Sequence, residues 1–402
     1  MKIVLTGGGT AGHVIPHLAV LPYLRESFSE IHYIGSHNGI EKNIISAQAA
    51  GVVYHSVTTV KLRRSIDLRN LLIPFKLLRG IGEAKKVLKT LEPDIVFSKG
   101  GFVAYPVVRA AAKLGIPVIA HESDMTMGLA NRLSAKHCRV ICTTFKKTAA
   151  ASFKKTNNGR QPRFIHTGSP IRQVIFNGIG VKVQRRHGFS QLGKTDDETK
   201  GQSEADRPVS KGNLLVIGGS LGATKINEAV RAALGGLLKN YNIVHICGKG
   251  KVTAQPSGNE QISGTNQTQP LSGVNNGGYV QLEFADDIQN YFAWADVVVS
   301  RAGSNALCEL LALGKPTLFI PLATGRGDQI ENAGEVLKTN AAAVLWEQDL
   351  TSQRLTKQVN EVYKNSSKYS KNAVKMGDSN GAKRIAGVIV DTVKLEKHKK
   401  IT

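Results

Sequence analysis

No run of 18 apolar residues occurs in the 402-residue chain, so no helix of it is expected to cross a membrane. The first residues are strand-like at once, with no signal peptide before them, which predicts a cytosolic protein. Cysteine is scarce. Cys138, Cys142, Cys247 and Cys308 are scattered, and the C-x₃-C pair lacks the companions of a zinc site, which leaves buried reduced thiols. Acidic residues are few, 30 against 53 Lys and Arg, for a net charge of +23. No Asp-x-Asp pair stands at a strand end to hold a catalytic metal. Aromatics make up only 6% of the chain and no nucleic-acid motif accompanies the charge, so nucleic acid is the weakest partner that a basic chain suggests.

What is present is organised around the first residues. Lys2–Thr6 is an apolar strand, Gly7-Gly8-Gly9-Thr10-Ala11-Gly12 a glycine-rich turn, and Pro16–Arg25 a helix with apolar residues at helical spacing. Such a turn brings bare N–H groups and a helix N-terminus to a ligand, so an anion or a hydroxyl-rich group is expected there. Gly7, Gly9 and Gly12 fit G-x-G-x-x-G, but the acid that binds ribose about 20 residues on is missing: the second strand, Ile31–Gly35, ends in Gly35-Ser36, and the next acid is Glu41. A nicotinamide site loses most of its support.

The length is ample for two domains. Residues 1–170 hold 24 basic against 9 acidic residues and residues 171–402 hold 29 against 21, so the first half is the basic one. Within it, Lys61–Lys89 interleaves nine basic residues with apolar ones. Arg63, Arg64, Leu72, Phe75, Lys76, Leu78 and Arg79 form a candidate patch for an anionic membrane surface, and an ordinary solvated helix with a core face is the alternative.

Along the first half, apolar strands alternate with helices: Asp94–Ser98 runs into Gly100-Gly101, and Pro117–His121 into Glu122-Ser123-Asp124, followed by Arg139–Cys142 and Arg163–His166. The second half repeats the plan from Asn213–Ile217 into Gly218-Gly219-Ser220, with further strands Ile243–Cys247, Asp296–Ser300 and Pro316–Pro321. The expected fold is α/β: two Rossmann-like, doubly wound domains facing a central cleft. The domains are placed at 1–168 and 169–380, with 381–402 a C-terminal helix and a frayed tail from Lys394. The polar stretches 191–212 and 253–278 are too poor in apolar residues to bury and are read as inserted flexible loops.

In the second half, Ser220 beside Gly218-Gly219 suits a phosphate. Arg301-Ala302-Gly303 opens a helix in which the Glu309 carboxylate suits ribose hydroxyls, and Gln329 and Asn332 share a helix face that suits a sugar. Phosphate, ribose and sugar contacts together describe a nucleotide-sugar site.

These motifs, GGGTAGHVIP at Gly7–Pro16, GGFVAYP at Gly100–Pro106, HESD at His121–Asp124, GLAN at Gly128–Asn131, GSPIR at Gly168–Arg172, GGSLGA at Gly218–Ala223, Arg301–Gly303 with Glu309, and Asp328–Asn332, keep their order over residues 1 to 335. The chain resembles the MurG family of membrane-associated glycosyltransferases, which convert lipid I to lipid II in peptidoglycan synthesis. The resemblance implies a GT-B fold and transfer of N-acetylglucosamine from UDP-N-acetylglucosamine to a muramyl 4-hydroxyl, on the inner face of the cell membrane. Other cell-wall synthesis or division proteins are implied as candidate partners, and nucleic acid is not.

By resemblance, Gly7, Gly8, Gly9, Gly100, Gly101 and His121 lie on the acceptor side. Thr10, Ala11, Gly12, Asp124, Arg172, Ser220, Phe284, Ala285, Arg301, Glu309 and Gln329 lie on the donor side, with Arg172 and Ser220 at the UDP phosphates and the backbone near Phe284 and Ala285 at the uracil. The family often carries Gly where Ala11 stands and Asn where Asp124 and Ser169 stand. The attacking hydroxyl needs a base: His13 is the first candidate and Glu122 the alternative. No cofactor is required on this reading, and a divalent cation would act only as a stimulant at the acceptor diphosphate.

Overall fold

A computed structural model describes residues 1–60, 73–150, 161–187, 189, 211–219, 222–253, 278–324 and 327–401. The chain divides into two compact units, Met1–Arg172 with Asp378–Thr402, and Gln173–Gly377. Arg172 therefore belongs to the first unit, although the motif it closes reads in sequence as the start of the second.

The first unit is built on seven parallel strands, β1 (Lys2–Thr6), β2 (Glu30–Ser36), β3 (Val53–Val57), β4 (Ile95–Ser98), β5 (Val118–Glu122), β6 (Val140–Thr143) and β7 (Arg163–His166), in the order β3-β2-β1-β4-β5-β6-β7. β1 is central and covered on both faces, which is why its sequence is continuously apolar rather than alternating. Successive residues point to opposite faces. Ile3 and Leu5 join one core with Leu24, Ile31 and Phe97, while Val4 joins the other with Ile34, Val96 and Val107.

The helix Gly381–Ile401 returns to the first unit. Ala382, Ile385, Ala386, Ile389 and Val393, at helical spacing, enter the same core as Ile3 and Leu5. The tail expected to fray from Lys394 is instead helical through Ile401. Two ion pairs that a charge count could not foresee hold it, Lys397 to Asp94 at 2.9 Å and Arg139 to Glu396 at 3.4 Å.

The second unit repeats the plan with six parallel strands, β8 (Gly212–Ile217), β9 (Tyr241–Ile246), β10 (Tyr279–Leu282), β11 (Val297–Ser300), β12 (Thr317–Phe319) and β13 (Ala343–Val344), in the order β10-β9-β8-β11-β12-β13. This is the order of the first six strands of the first unit. Apart from their end residues, the stretches 191–212 and 253–278 lie outside the described residues.

Each sheet reverses strand order at one place, between β1 and β4 (Thr6 opposite Ser98) and between β8 and β11 (Ile217 opposite Ser300). Ligands of doubly wound sheets bind beyond the carboxyl ends of the strands at such points. Gly7 and Lys99 follow the first pair of strands, Gly218 and Arg301 the second.

Candidate active-site loops

In the first unit the two glycine loops interlock. Gly101 has φ +78° and Gly9 φ +85°, conformations that side chains resist. A Cβ on Gly101 would overlap the Gly8 carbonyl and lie 3.3 Å from His13 Nδ1, and one on Gly9 would overlap the Phe102 ring. The loops 7–13 and 100–102 thus form one surface, with His13 set against Gly101. His13 is partly exposed, and its Nδ1 lies 2.9 Å from Thr10 Oγ1. Thr10 and Gly12 are exposed and Ala11 half-buried, so this stretch is open to a ligand.

The HESD segment is different in kind. His121 is fully buried. Lys99 Nζ donates to its Nδ1 at 2.7 Å, which leaves the proton on Nε2, where it donates to Gly168 O at 3.1 Å. Burial, then the Lys99 charge, hold this imidazole neutral, well below the usual histidine range. Its ring is spent inside the fold, so the acceptor contact expected of His121 is replaced by a strut between Lys99 and Gly168.

Glu122 is likewise buried, accepting from Asp124 N–H (3.0 Å), Gly128 N–H (3.0 Å) and Asn131 Nδ2 (2.9 Å). Burial raises its pKa against these bonds. Oε1 takes the Asp124 N–H and Oε2 the two donors at the start of the helix Leu129–Ser134, so both oxygens are engaged inside the fold, which speaks against Glu122 as the base. Asp124 is half-buried beside it. Arg172 is half-buried, and its Nε is a buried donor with no hydrogen-bond partner among the described residues, as a group awaiting an anion would be.

Two buried histidines outside the loops make stability depend on pH. His17 and His245 are both lowered to about 3, by burial first and then by the charges of Lys99 and Arg231 respectively. Below the unfolded value near 6.5 the unfolded chain binds a proton that the fold refuses. Stability is therefore full above pH 6.5 and falls, by about 1.4 kcal/mol per pH unit for each histidine, as pH drops toward 3. Denaturant unfolding at pH 7.5 and 5.5 should show His245→Asn losing about 1.4 kcal/mol less than the parent over that interval. Equal losses would show that His245 takes up its proton in the folded state.

In the second unit, Gly219 (φ +83°) precedes Ser220, which with Leu221 lies outside the described residues. Gly222 is turned so tightly that a Cβ would overlap the Cys247 carbonyl, and the helix Thr224–Leu237 begins directly after it. Parallel register brings the ends of β8, β9, β10, β11 and β12 to one edge. At that edge Phe284 is 65% exposed and Ala285 half-buried, a short platform after β10. Glu309 is half-buried in the second turn of the helix Ser304–Ala312. Gln329 Oε1 accepts from Leu322 N–H at 3.0 Å, and Asn332 is buried, its Nδ2 donating to Ala302 O at 3.1 Å.

Arg301 is not poised at a ligand as the sequence suggested. It is buried, donating from Nη1 to Ile320 O at 3.0 Å and from Nη2 to Glu347 Oε1 at 2.5 Å, with Lys225 also on Glu347 at 3.3 Å. Burial would raise the Glu347 pKa, but Arg301 and then Lys225 hold it below the usual carboxylate range. Arg301 thereby ties the end of β11 to that of β12.

Two phosphate-type loops at the switch points of two duplicated sheets agree with comparisons to known proteins. Residues 3–143 match the glycosyltransferase family 28 N-terminal domain and residues 213–388 the glycosyltransferase family 28 C-terminal domain. The chain is 43% identical over 402 residues to a Clostridium novyi protein, 99% of each chain being covered. It is 44% identical over 391 residues to one from Lachnoclostridium phytofermentans, covering 96% of this chain and 98% of the relative.

The chain belongs to glycosyltransferase family 28.

Both relatives bear the name UDP-N-acetylglucosamine–N-acetylmuramyl-(pentapeptide) pyrophosphoryl-undecaprenol N-acetylglucosamine transferase. Among solved structures, Acinetobacter baumannii MurG is similar with a TM-score of 0.67 at 23% identity, over 97% of this chain and 99% of that one. A UDP-GlcNAc 2-epimerase from Neisseria meningitidis, bound to UDP-GlcNAc, has a TM-score of 0.62 at 14% identity, over 97% and 100%. At such identities these two likenesses show the fold alone.

In this family 28 chain the loops hold residues that sequence reasoning passed over. Lys99 is buried between His121 and Ser123, and its position directly before Gly100-Gly101 was the one available signal. Asn131 donates to His121 O as well as to Glu122, while its Oδ1 abuts Gly100. Glu347 gave no signal, because its partner Arg301 is 46 residues away, and Glu41 was noticed only as the first acid after β2, not for its bond to the glycine loop.

Proposed function

We infer that this family 28 chain transfers N-acetylglucosamine from UDP-N-acetylglucosamine to the 4-hydroxyl of the muramyl sugar of undecaprenyl-diphospho-MurNAc-peptide, lipid I, forming lipid II. The observation that carries this is end-to-end identity of 43 to 44% with transferases of that name. The reaction is inverting: the hydroxyl oxygen forms a bond to the anomeric carbon, the bond from that carbon to the UDP oxygen breaks, and the hydroxyl proton passes to His13. The leaving diphosphate is met by the helix start after Gly222, whose backbone donors need no reorganisation as charge develops, and the family resemblance assigns the Arg172 guanidinium to the same phosphates. Glu309 takes the ribose, Gln329 the sugar, and the Phe284–Ala285 backbone the uracil.

The chemistry proposed is metal-independent, carried by backbone donors and arginine. Purified protein should transfer labelled sugar from UDP-N-acetylglucosamine to a soluble lipid I analogue and keep doing so in chelator. Absence of transfer to that analogue, with transfer to another lipid or aglycone, would overturn the acceptor. Complete loss in chelator that a divalent cation restores would overturn metal independence.

We also propose that the protein works as a peripheral enzyme on the anionic inner face of the membrane. Among the described residues no helix is long and apolar enough to cross it. The helix Ile73–Leu91 buries Ile81, Ala84 and Leu88, yet leaves Phe75 72% and Leu78 63% exposed beside exposed Lys76 and Arg79. A core face therefore does not account for all of its apolar residues. Arg79 is partly neutralised by Glu83 at 2.8 Å; Arg63, Arg64 and Leu72 lie outside the described residues. Replacing Arg63, Arg64 and Lys76 by Glu should weaken sedimentation with anionic vesicles at least tenfold, taking roughly 1 kcal/mol per charge near the headgroups. Binding to neutral vesicles should not change, and undiminished binding to anionic ones would refute the patch.

A further inference from the structure

Glu41 is fully buried, yet its carboxylate receives three donors from two strand ends. Gly9 N–H donates to Oε2 at 3.2 Å, Ser36 N–H to Oε1 at 3.0 Å, and the Ser36 hydroxyl also to Oε1. Gly9 lies in the loop after β1 and Ser36 ends β2, so one side chain from the helix Ile40–Gln48 staples two strand ends. The surroundings make room for it: a Cβ on Gly8 would lie 2.7 Å from its Cδ, and one on Gly39 would overlap Oε1. Tyr33 and Tyr54 complete the brace, donating to Gly7 O at 2.8 Å and to Ser36 O at 2.7 Å.

In a dinucleotide-binding unit an acid near the end of the second strand accepts the ribose hydroxyls. Here the carboxylate that comes closest to that position is turned onto the glycine loop, and the Gly9 N–H is spent with it. Neither is left for a ligand, so an anion must be met by the other donors of the loop. We propose that Glu41 is a positioning residue for the acceptor: it holds Gly8 and Gly9 so that the acceptor-side turn Gly7–Gly9 takes the shape that receives the acceptor. This rests on the transferase reading above.

The test is steady-state kinetics of full-length Glu41→Gln, varying the lipid I analogue and UDP-N-acetylglucosamine in turn. An amide nitrogen facing one of these N–H donors cannot accept from it, so a staple is lost. The KM for the acceptor should rise about tenfold or more while that for UDP-N-acetylglucosamine stays within about twofold. A merely structural role would lower the active fraction, reducing kcat with both KM values unchanged, and that result overturns the proposal. So does an unchanged or lowered acceptor KM.

Ser36→Ala keeps the carboxylate and the Gly9 bond but removes one donor, and should raise the acceptor KM by about two- to fivefold. If Glu41→Gln does not fold, this variant decides the matter, and an unchanged acceptor KM overturns the proposal. Parent protein that transfers no sugar at all would instead show that the transferase reading has failed.

Discussion

Replacing His13 with alanine is expected to lower turnover about 10²- to 10⁴-fold while UDP binding is kept, the loss typical of a missing general base. Three observations single it out. His17 and His121 are buried and held neutral, Glu122 is enclosed by donors, and His13 alone of these four is partly exposed, on the surface shared by the two glycine loops. A base must be unprotonated, so parent activity should fall at acid pH along a limb that the alanine variant lacks. His13→Asn helps to separate chemistry from support, since an amide can still hydrogen-bond to Thr10 but cannot take the proton. Near-parental turnover in either variant would sink the assignment.

The second large effect concerns stability. Arg301→Leu should destabilise the second unit by about 3 to 5 kcal/mol, because it strands a buried Glu347 carboxylate. Lys225, 65% exposed at 3.3 Å, offsets part of this and places the loss toward the lower end. Converting Glu347 to Leu as well should recover most of the stability, since two apolar side chains leave no buried charge unpaired and Lys225 is left solvated. Denaturant unfolding of the single and double variants checks both statements. An Arg301→Leu protein that unfolds like the parent but no longer binds UDP would show that the guanidinium serves the donor instead.

Legibility in the sequence followed burial. β1, β4, β8 and β11, inside their sheets and covered on both faces, could be read as unbroken apolar runs. Of the four sheet-edge strands, β3, β10 and β13 could not, and only β7 was read. An edge strand has one strand neighbour and less to cover: Val53 of β3 is 53% exposed, and His55 and Ser56 interrupt its pattern. The glycine loops were equally readable, because a tight turn against a strand end leaves little choice of residue. Gly101 shows why, with positive φ and the Gly8 carbonyl where a Cβ would be.

Side-chain duty was less legible. His121, Glu122 and Arg301 have the right chemistry at the right strand ends, and sequence reasoning gave them to ligands. The fold gives them to Gly168, Asn131 and Glu347, at separations of 47, 9 and 46 residues. By itself, the sequence determined the two duplicated α/β units and the phosphate-type loops, since local backbone demands and apolar runs are written locally, and its motifs carried the family resemblance that implied the transferase class. Only tertiary structure decided which polar groups remain available to substrate. A buried donor or acceptor must be paired, and its partner is chosen by chain that arrives from elsewhere.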